Sequence, residues 1–102
     1  MKVYIAGKIT GDPFYRPKFA RAKMTVEAEG HIVLVPSMLP AGMDNADYMR
    51  ICFAMIDSAD LVLFLPDWKD SEGAKLERQY CAYLKKPFTT MGETELTEGG
   101  HT

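Results

Sequence analysis

Apolar residues recur along the chain in two alternating patterns. Short runs of continuous apolar residues, typical of strands covered on both faces, occupy residues 2–7, 31–36 and 60–66, and a last short run lies around 87–90. Between these runs, apolar residues spaced three and four positions apart predict helices over residues 17–29, about 45–58 and about 71–85. The chain is therefore predicted to alternate strand and helix, beginning and ending with a strand.

This alternation predicts the fold class. Short strands that alternate with helices select a parallel sheet with helices on both faces, so we expect an α/β, doubly wound, flavodoxin/Rossmann-like sheet of four to five strands. Residues 1–91 form the predicted single domain. Residues 92–102 contain almost no apolar side chains, and we expect a C-terminal tail that is flexible or ordered only by a partner subunit.

The composition and net charge of the chain limit the kinds of binding partner that we expect. With 102 residues, 47% of them hydrophobic, the chain fits one compact domain, and a net charge of −2 gives no reason to expect a nucleic acid partner. The apolar run at the N-terminus is too short for a signal peptide or a membrane span, so we expect a cytoplasmic protein with no membrane partner. Cys52 and Cys81 lack metal-ligand spacing, and we predict reduced thiols, no metal site and no cofactor.

Glu77 is the residue whose position is least expected. Helical spacing places it in one apolar stripe with Ala74, Cys81 and Leu84, so its carboxylate is predicted to point inward. A carboxylate buried without a partner is costly, so it needs a polar cavity or a salt bridge. The first alternative makes Glu77 a candidate for chemistry, and the second makes it a structural residue.

The loops after the strands hold the other candidates, because ligands bind at the carboxyl ends of the strands in such sheets. Gly7 and Gly11 either let backbone N–H groups approach a phosphate or sugar, or simply form a tight turn. Ser71 and Gly73 open the third predicted helix, where free N–H groups favour an anion, although capping by Asp70 or Ser71 explains the same residues.

Two further side chains in the loop after the third strand leave alternatives open. Trp68, the one tryptophan, could stack a nucleobase or form a hydrophobic lid over the core. Asp70 lies in a cluster of acidic residues that could raise one pKa enough for general acid catalysis, or could be solvated turn residues.

Three segments of the chain together resemble the nucleoside 2-deoxyribosyltransferase superfamily, and more narrowly its small bacterial and phage branch. They read KVYIAGKITG, YMRICFAMIDSADLVLFLPDW and DSEGAKLERQYCAYLKKP, and the resemblance covers about residues 1–90. It implies an enzyme that cleaves or exchanges the N-glycosidic bond of a deoxyribonucleoside or its 5′-monophosphate, acting on a small-molecule substrate. It also implies a homodimer or a higher homo-oligomer.

The resemblance assigns roles to the candidate residues. Glu77 is the implied nucleophile that attacks the anomeric carbon, with Tyr4 beside it and Asp70 near the position of the acid. It implies that the sugar or phosphate pocket is lined by Gly7, Ile9 and Gly11. It also implies that the 5′ end of the substrate is held by Ser71 and Gly73.

The sequence departs from the superfamily pattern at three positions. Cys52 stands where many relatives carry an aspartate that contacts the sugar, Asp70 is one residue farther from Glu77 than the usual acid, and Gln79 replaces a small glycine. We therefore keep two alternatives to an enzyme with a glutamate nucleophile. They are a nucleotide-binding module without turnover, and a structural or interaction domain.

Overall fold

The computed structural model describes residues 1–92. Its strands and helices follow one another as β1 (Lys2–Ala6), α1 (Tyr15–Glu27), β2 (Ile32–Leu34), α2 (Asn45–Ser58), β3 (Leu61–Phe64), α3 (Glu72–Leu84) and β4 (Phe88–Thr90). Short 3-10 helices follow β2 and β3, at Pro36–Met38 and Pro66–Asp70. The predicted tail lies outside the described residues except for Gly92.

The four strands form one parallel sheet in the order β2-β1-β3-β4. Tyr4 of β1 pairs with Leu34 of β2 on one side and with Val62 of β3 on the other, so β1 lies inside the sheet. This order and the helices on both faces confirm the predicted α/β, doubly wound, flavodoxin-like fold, with four strands in residues 1–92. The strand order reverses between β1 and β3, which is where such sheets bind ligands.

Side chains of β1 point alternately to two separate cores, as the pleat of a strand requires. Val3 and Ile5 pack on one face against α1, together with Phe19, Ala22 and Val26. Tyr4 and Ala6 pack on the other face, in a cluster with buried residues of α2, β3 and α3, namely Cys52, Ile56, Ala59, Val62, Phe64 and Cys81. Burial on both faces explains why the strands read as continuous apolar runs.

The boundaries of the first helix differ from the prediction of residues 17–29. The helix begins at Tyr15, so Pro17 is its third residue, and it ends at Glu27. N–H groups in the first turn have no partner within the helix, so a proline there removes no hydrogen bond.

None of the helices in residues 1–92 is long and apolar enough to cross a membrane.

Candidate active site

Glu77 occupies the buried side of α3, as its spacing predicts. It is only 6% exposed, and it is the one charged residue in the buried core of residues 1–92. Its Oε2 atom accepts a hydrogen bond of 3.0 Å from the hydroxyl of Tyr4, which is fully buried in the middle of β1. The structure thus brings together the two residues to which the resemblance assigns the nucleophile and its neighbour.

The environment of Glu77 favours the neutral carboxyl. Burial raises its pKa to about 7, although the hydrogen bond from the Tyr4 hydroxyl acts in the opposite direction. Within residues 1–92, no lysine, arginine or histidine forms an ion pair with Glu77. The salt-bridged arrangement considered from the sequence is therefore not the one that the described residues form.

Tyr4 and Cys52, which belong to one buried cluster, are themselves neutral. Burial, and then the charge of Glu77, raise the pKa of Tyr4 well above its usual value. Burial likewise raises the pKa of Cys52 to about 11. Near neutral pH both groups keep their protons, so the Tyr4 hydroxyl that holds the carboxylate is a neutral donor and not an opposite charge.

Two cavities of the structure lie away from the carboxylate. A cavity of about 450 Å³ lies on the α1 side, lined by Lys18, Arg21, Ala22, Thr25, Leu65, Pro66, Asp67 and Met91, and one of about 340 Å³ lies beside the start of β4. Neither of these cavities is lined by Glu77.

The start of α3 is capped by Ser71. Its Oγ accepts a hydrogen bond of 3.1 Å from the backbone N–H of Ala74, which decides between the two capping residues considered from the sequence. Asp70 ends the preceding 3-10 helix with an exposed side chain and shares no hydrogen bond with Glu77. The first turn of α3 lies against α2, since a side chain at Gly73 would meet the Met49 sulfur at 3.8 Å.

Each glycine of the loop after β1 has a local structural reason. A Cβ atom at Gly7 would lie 2.9 Å from Leu65 Cδ1, so only glycine fits there without displacing the chain after β3. Gly11 has a φ of +84°, a conformation that other residues rarely adopt. Ile9 packs against the cluster on the α1 face, on the other side of the sheet from Glu77.

Trp68 is half-buried and packs against the cluster that contains Tyr4. The Arg78 guanidinium lies 4.6 Å from the centre of its ring and 4.9 Å from that of Phe88, so one arginine is stacked between two aromatic rings. Phe64 meets Trp68 edge-on, with ring centres 6.0 Å apart. These contacts agree with the lid over the core, and base stacking by Trp68 stays a prediction.

Lys18 ties the loops at the carboxyl ends of β1 and β3 together, a role not anticipated from the sequence. Its ammonium group donates to the Lys8 carbonyl at 2.8 Å and to the carboxylates of Asp12 and Asp67 at 2.5 Å each. Asp67 in turn accepts from the Lys8 backbone N–H at 3.1 Å. The partners come from two loops that are far apart in the chain, so no local spacing indicates the network.

Replacing Tyr4 with phenylalanine should destabilise the protein more at alkaline than at acidic pH. At pH 5.5 the variant loses a hydrogen bond between neutral groups, worth about 1 kcal/mol, whereas at pH 8.5 it leaves a buried carboxylate with one donor fewer, at about 2 to 3 kcal/mol. Urea unfolding at both pH values measures the difference. Tyr80→Phe, which removes the 2.7 Å hydrogen bond to Asp57 on the surface, is the control and should show a smaller loss that does not depend on pH. Equal losses for Tyr4→Phe at both pH values would contradict the prediction.

These features define a class: a doubly wound α/β domain in which a buried, uncharged tyrosine on a strand donates a hydrogen bond to a buried carboxylate on a helix. Residues 1–92 contain no group of three or more His, Cys, Asp or Glu side chains arranged to hold a metal ion. The chain belongs to the family DUF4406, described as a domain of unknown function, whose profile matches residues 1–90. This family is part of the nucleoside 2-deoxyribosyltransferase-like superfamily.

One solved structure similar to this chain is a "2-desoxiribosyltransferase from Leishmania mexicana", with a TM-score of 0.70 and 18% sequence identity. The similarity covers 87% of this chain and 62% of the other, so this chain spans less than two thirds of that protein's length. At this identity the similarity shows a shared fold. No curated protein matches the sequence.

Proposed function

We propose that this protein cleaves or transfers at the N-glycosidic bond of a nucleoside or nucleoside 5′-monophosphate, with Glu77 as the nucleophile. The observation that carries the proposal is the environment of Glu77: it is 6% exposed, it accepts a hydrogen bond from the neutral Tyr4 hydroxyl, and it forms no ion pair within residues 1–92. A buried carboxylate that only supports the fold is normally paired with an opposite charge. One whose pKa is raised towards neutrality by burial is typical of functional sites.

The chemistry that such a carboxylate can perform is displacement at the anomeric carbon. Glu77 in its ionised form donates an electron pair to that carbon while the bond to the base breaks and the base takes the bonding electrons. Water or a second base then attacks the same carbon and releases Glu77. Water as acceptor makes the protein a hydrolase, and a second base makes it a transferase.

The departing base also needs a proton. The resemblance places Asp70 near the position of the acid, and in the structure Asp70 is exposed at the end of the 3-10 helix before α3. Tyr4 is a poor donor of a full proton, because burial raises its pKa well above its usual value. We propose that Asp70 approaches the substrate when the base is bound, and that Ser71, Gly73 and the loop with Gly7, Ile9 and Gly11 contact the sugar or its phosphate.

The second candidate function is a nucleotide-binding module without turnover. The observation that favours it is that neither of the two cavities described above is lined by Glu77. Such a module would bind nucleoside monophosphates and release no base. Titration calorimetry distinguishes it from a structural domain, which would give no heat of binding with any nucleotide.

A homodimer, a higher homo-oligomer and a cytoplasmic location stay predictions from the sequence.

The experiment that tests the first proposal is product analysis with a panel of substrates. Purified protein is incubated with the four deoxynucleosides and their 5′-monophosphates, with and without a different free base, and chromatography follows the base that is released. We expect release from at least one substrate. A new nucleoside formed only when the second base is present would identify a transferase, and no release from any substrate would overturn the enzymatic proposal.

A further inference from the structure

The larger of the two cavities lies away from Glu77. Its lining residues come from α1, from the chain after β3 and from the residue after β4, and its volume is about 450 Å³. Leu65 and Met91 of its wall pack with the cluster on the α1 face of the sheet, whereas Tyr4, which donates to Glu77, packs on the opposite face. A ligand in this cavity would therefore occupy a site separate from the candidate active site.

Half of the residues that line this cavity are apolar. They come from three separate segments of the chain, and they are Ala22, Leu65, Pro66 and Met91. Sites for small molecules usually have volumes of about 300 to 1,000 Å³ and apolar walls around a few polar groups, and this cavity fits both criteria. Its apolar wall can bury a ring or a short hydrocarbon chain, which is favourable in water.

Lys18 and Asp67 also line the cavity, but they are already paired. The three donors of the Lys18 ammonium group meet three acceptors, which are the Lys8 carbonyl and the carboxylates of Asp12 and Asp67. Both oxygens of Asp67 accept hydrogen bonds, one from Lys18 and one from the Lys8 backbone N–H. The protein itself satisfies these charges, so they need no ligand.

Arg21 has the unused donors of the cavity lining. Within residues 1–92 its exposed guanidinium group forms no ion pair and donates no hydrogen bond. The Thr25 hydroxyl, one turn further along α1, donates its one proton to the Arg21 carbonyl at 3.0 Å. The lining contains two cations and one carboxylate, so one positive charge is in excess. A guanidinium group pairs best with carboxylate and phosphate oxygens.

We propose that this cavity binds a small amphipathic anion, whose carboxylate or phosphate group pairs with Arg21 and whose ring or hydrocarbon chain packs on the apolar wall. Lys18, which holds the two nearby carboxylates, lies one turn before Arg21 on α1, so the anionic group is expected on the Thr25 side of Arg21. The proposal does not rest on the chemistry of Glu77, because the two sites lie on opposite faces of the sheet.

The test follows the methyl group of Met91, which lines the cavity, by carbon-13 NMR of the full-length protein labelled at methionine. The signal lost in Met91→Leu identifies the residue. Phenyl phosphate and benzoate are the charged probes, and benzyl alcohol has the same ring without a charge. We expect a saturable shift of the Met91 signal with a charged probe and about 10-fold weaker binding of benzyl alcohol, which lacks the charge-assisted hydrogen bond. Tighter binding of phenyl phosphate would identify a phosphate ester as the ligand, and tighter binding of benzoate would identify a carboxylate.

Arg21→Gln should weaken binding of the charged probes about 10-fold and leave that of benzyl alcohol unchanged. Arg16→Gln is the matched control, since Arg16 lies on the same helix, donates to the Ser37 carbonyl and does not line the cavity. It should change binding by no more than about twofold, and Glu77→Gln should bind the probes as the wild type does. The proposal would be overturned by no saturable shift of the Met91 signal, by equally tight binding of benzyl alcohol, by an equal loss in Arg16→Gln, or by a loss in Glu77→Gln.

Discussion

Glu77→Gln is expected to reduce base release by a factor on the order of 10³ or more, which corresponds to about 4 kcal/mol of activation free energy. Glutamine has nearly the shape of glutamate and can still accept the Tyr4 hydroxyl, so the cluster around Tyr4 should stay packed. Its amide is not a nucleophile, because it carries no negative charge to donate to the anomeric carbon. The loss should appear in kcat, with nucleotide affinity little changed.

The matched control is Glu72→Gln. Glu72 lies on the same helix, its side chain is 92% exposed, and its contact is an ion pair of 2.9 Å with Lys75. The same chemical change there should leave base release within about twofold, as surface ion pairs contribute little. Full activity of Glu77→Gln, with Glu72→Gln also active, would place the nucleophile elsewhere.

The pH dependence of the reaction rate and the mass of the protein during turnover together test whether Glu77 acts as the nucleophile. Burial raises its pKa to about 7, so a nucleophile, which acts in the ionised form, gives a rate that increases with pH through about 7. A general acid would give the opposite slope. Rapid quenching followed by intact mass measurement should show protein carrying one sugar in the wild type and none in Glu77→Gln.

Glu77→Gln is also expected to remove a large pH dependence of the free energy of unfolding. The pKa of Glu77 rises from 4.5 to about 7 on folding, so the folded state holds more protons between these values. The associated stability is fully present below about pH 4.5 and is lost as the pH rises through about 7. Between pH 5 and pH 8.5, the wild type should lose about 2 to 3 kcal/mol more than the variant.

Chemical denaturation at several pH values measures this difference. Glu72→Gln is again the control, and its pH profile should follow that of the wild type because its side chain is exposed. The raised pKa values of Cys52 and Cys81, both about 11, affect stability only at higher pH. Parallel profiles for wild type and Glu77→Gln would mean that burial leaves the pKa of Glu77 near its usual value.

Much of the fold could be predicted because the burial of a strand or helix determines the pattern of apolar residues along it. A strand covered on both faces must be continuously apolar, and a helix packed on one face must repeat its apolar residues every three to four positions. The same repeat places Glu77 inward. The start of α1 was misplaced by two residues because a proline fits several positions of a first turn equally well.

The contacts of the site were harder to predict, because they join residues far apart in the chain. The network around Lys18 joins Lys8 and Asp12 to Asp67, and nothing in their local spacing indicates it. The proximity of Tyr4 to Glu77 was expected from the resemblance alone, since periodicity says which way a side chain points and not what it meets. The choice between Asp70 and Ser71 as cap likewise depends on where the backbone turns.

The hydrogen bond between Tyr4 and Glu77 spans 73 positions of the chain, and Cys52 lies between them in sequence. A chain divided after α2 would therefore carry the phenol and the thiol on one fragment and the carboxylate on the other. Neither fragment alone contains the site, and during synthesis the site can form only after α3 has been made. The raised pKa of Glu77 therefore shows that both parts of the chain are folded together. If the two halves are produced separately, we expect this raised pKa only after they reassociate.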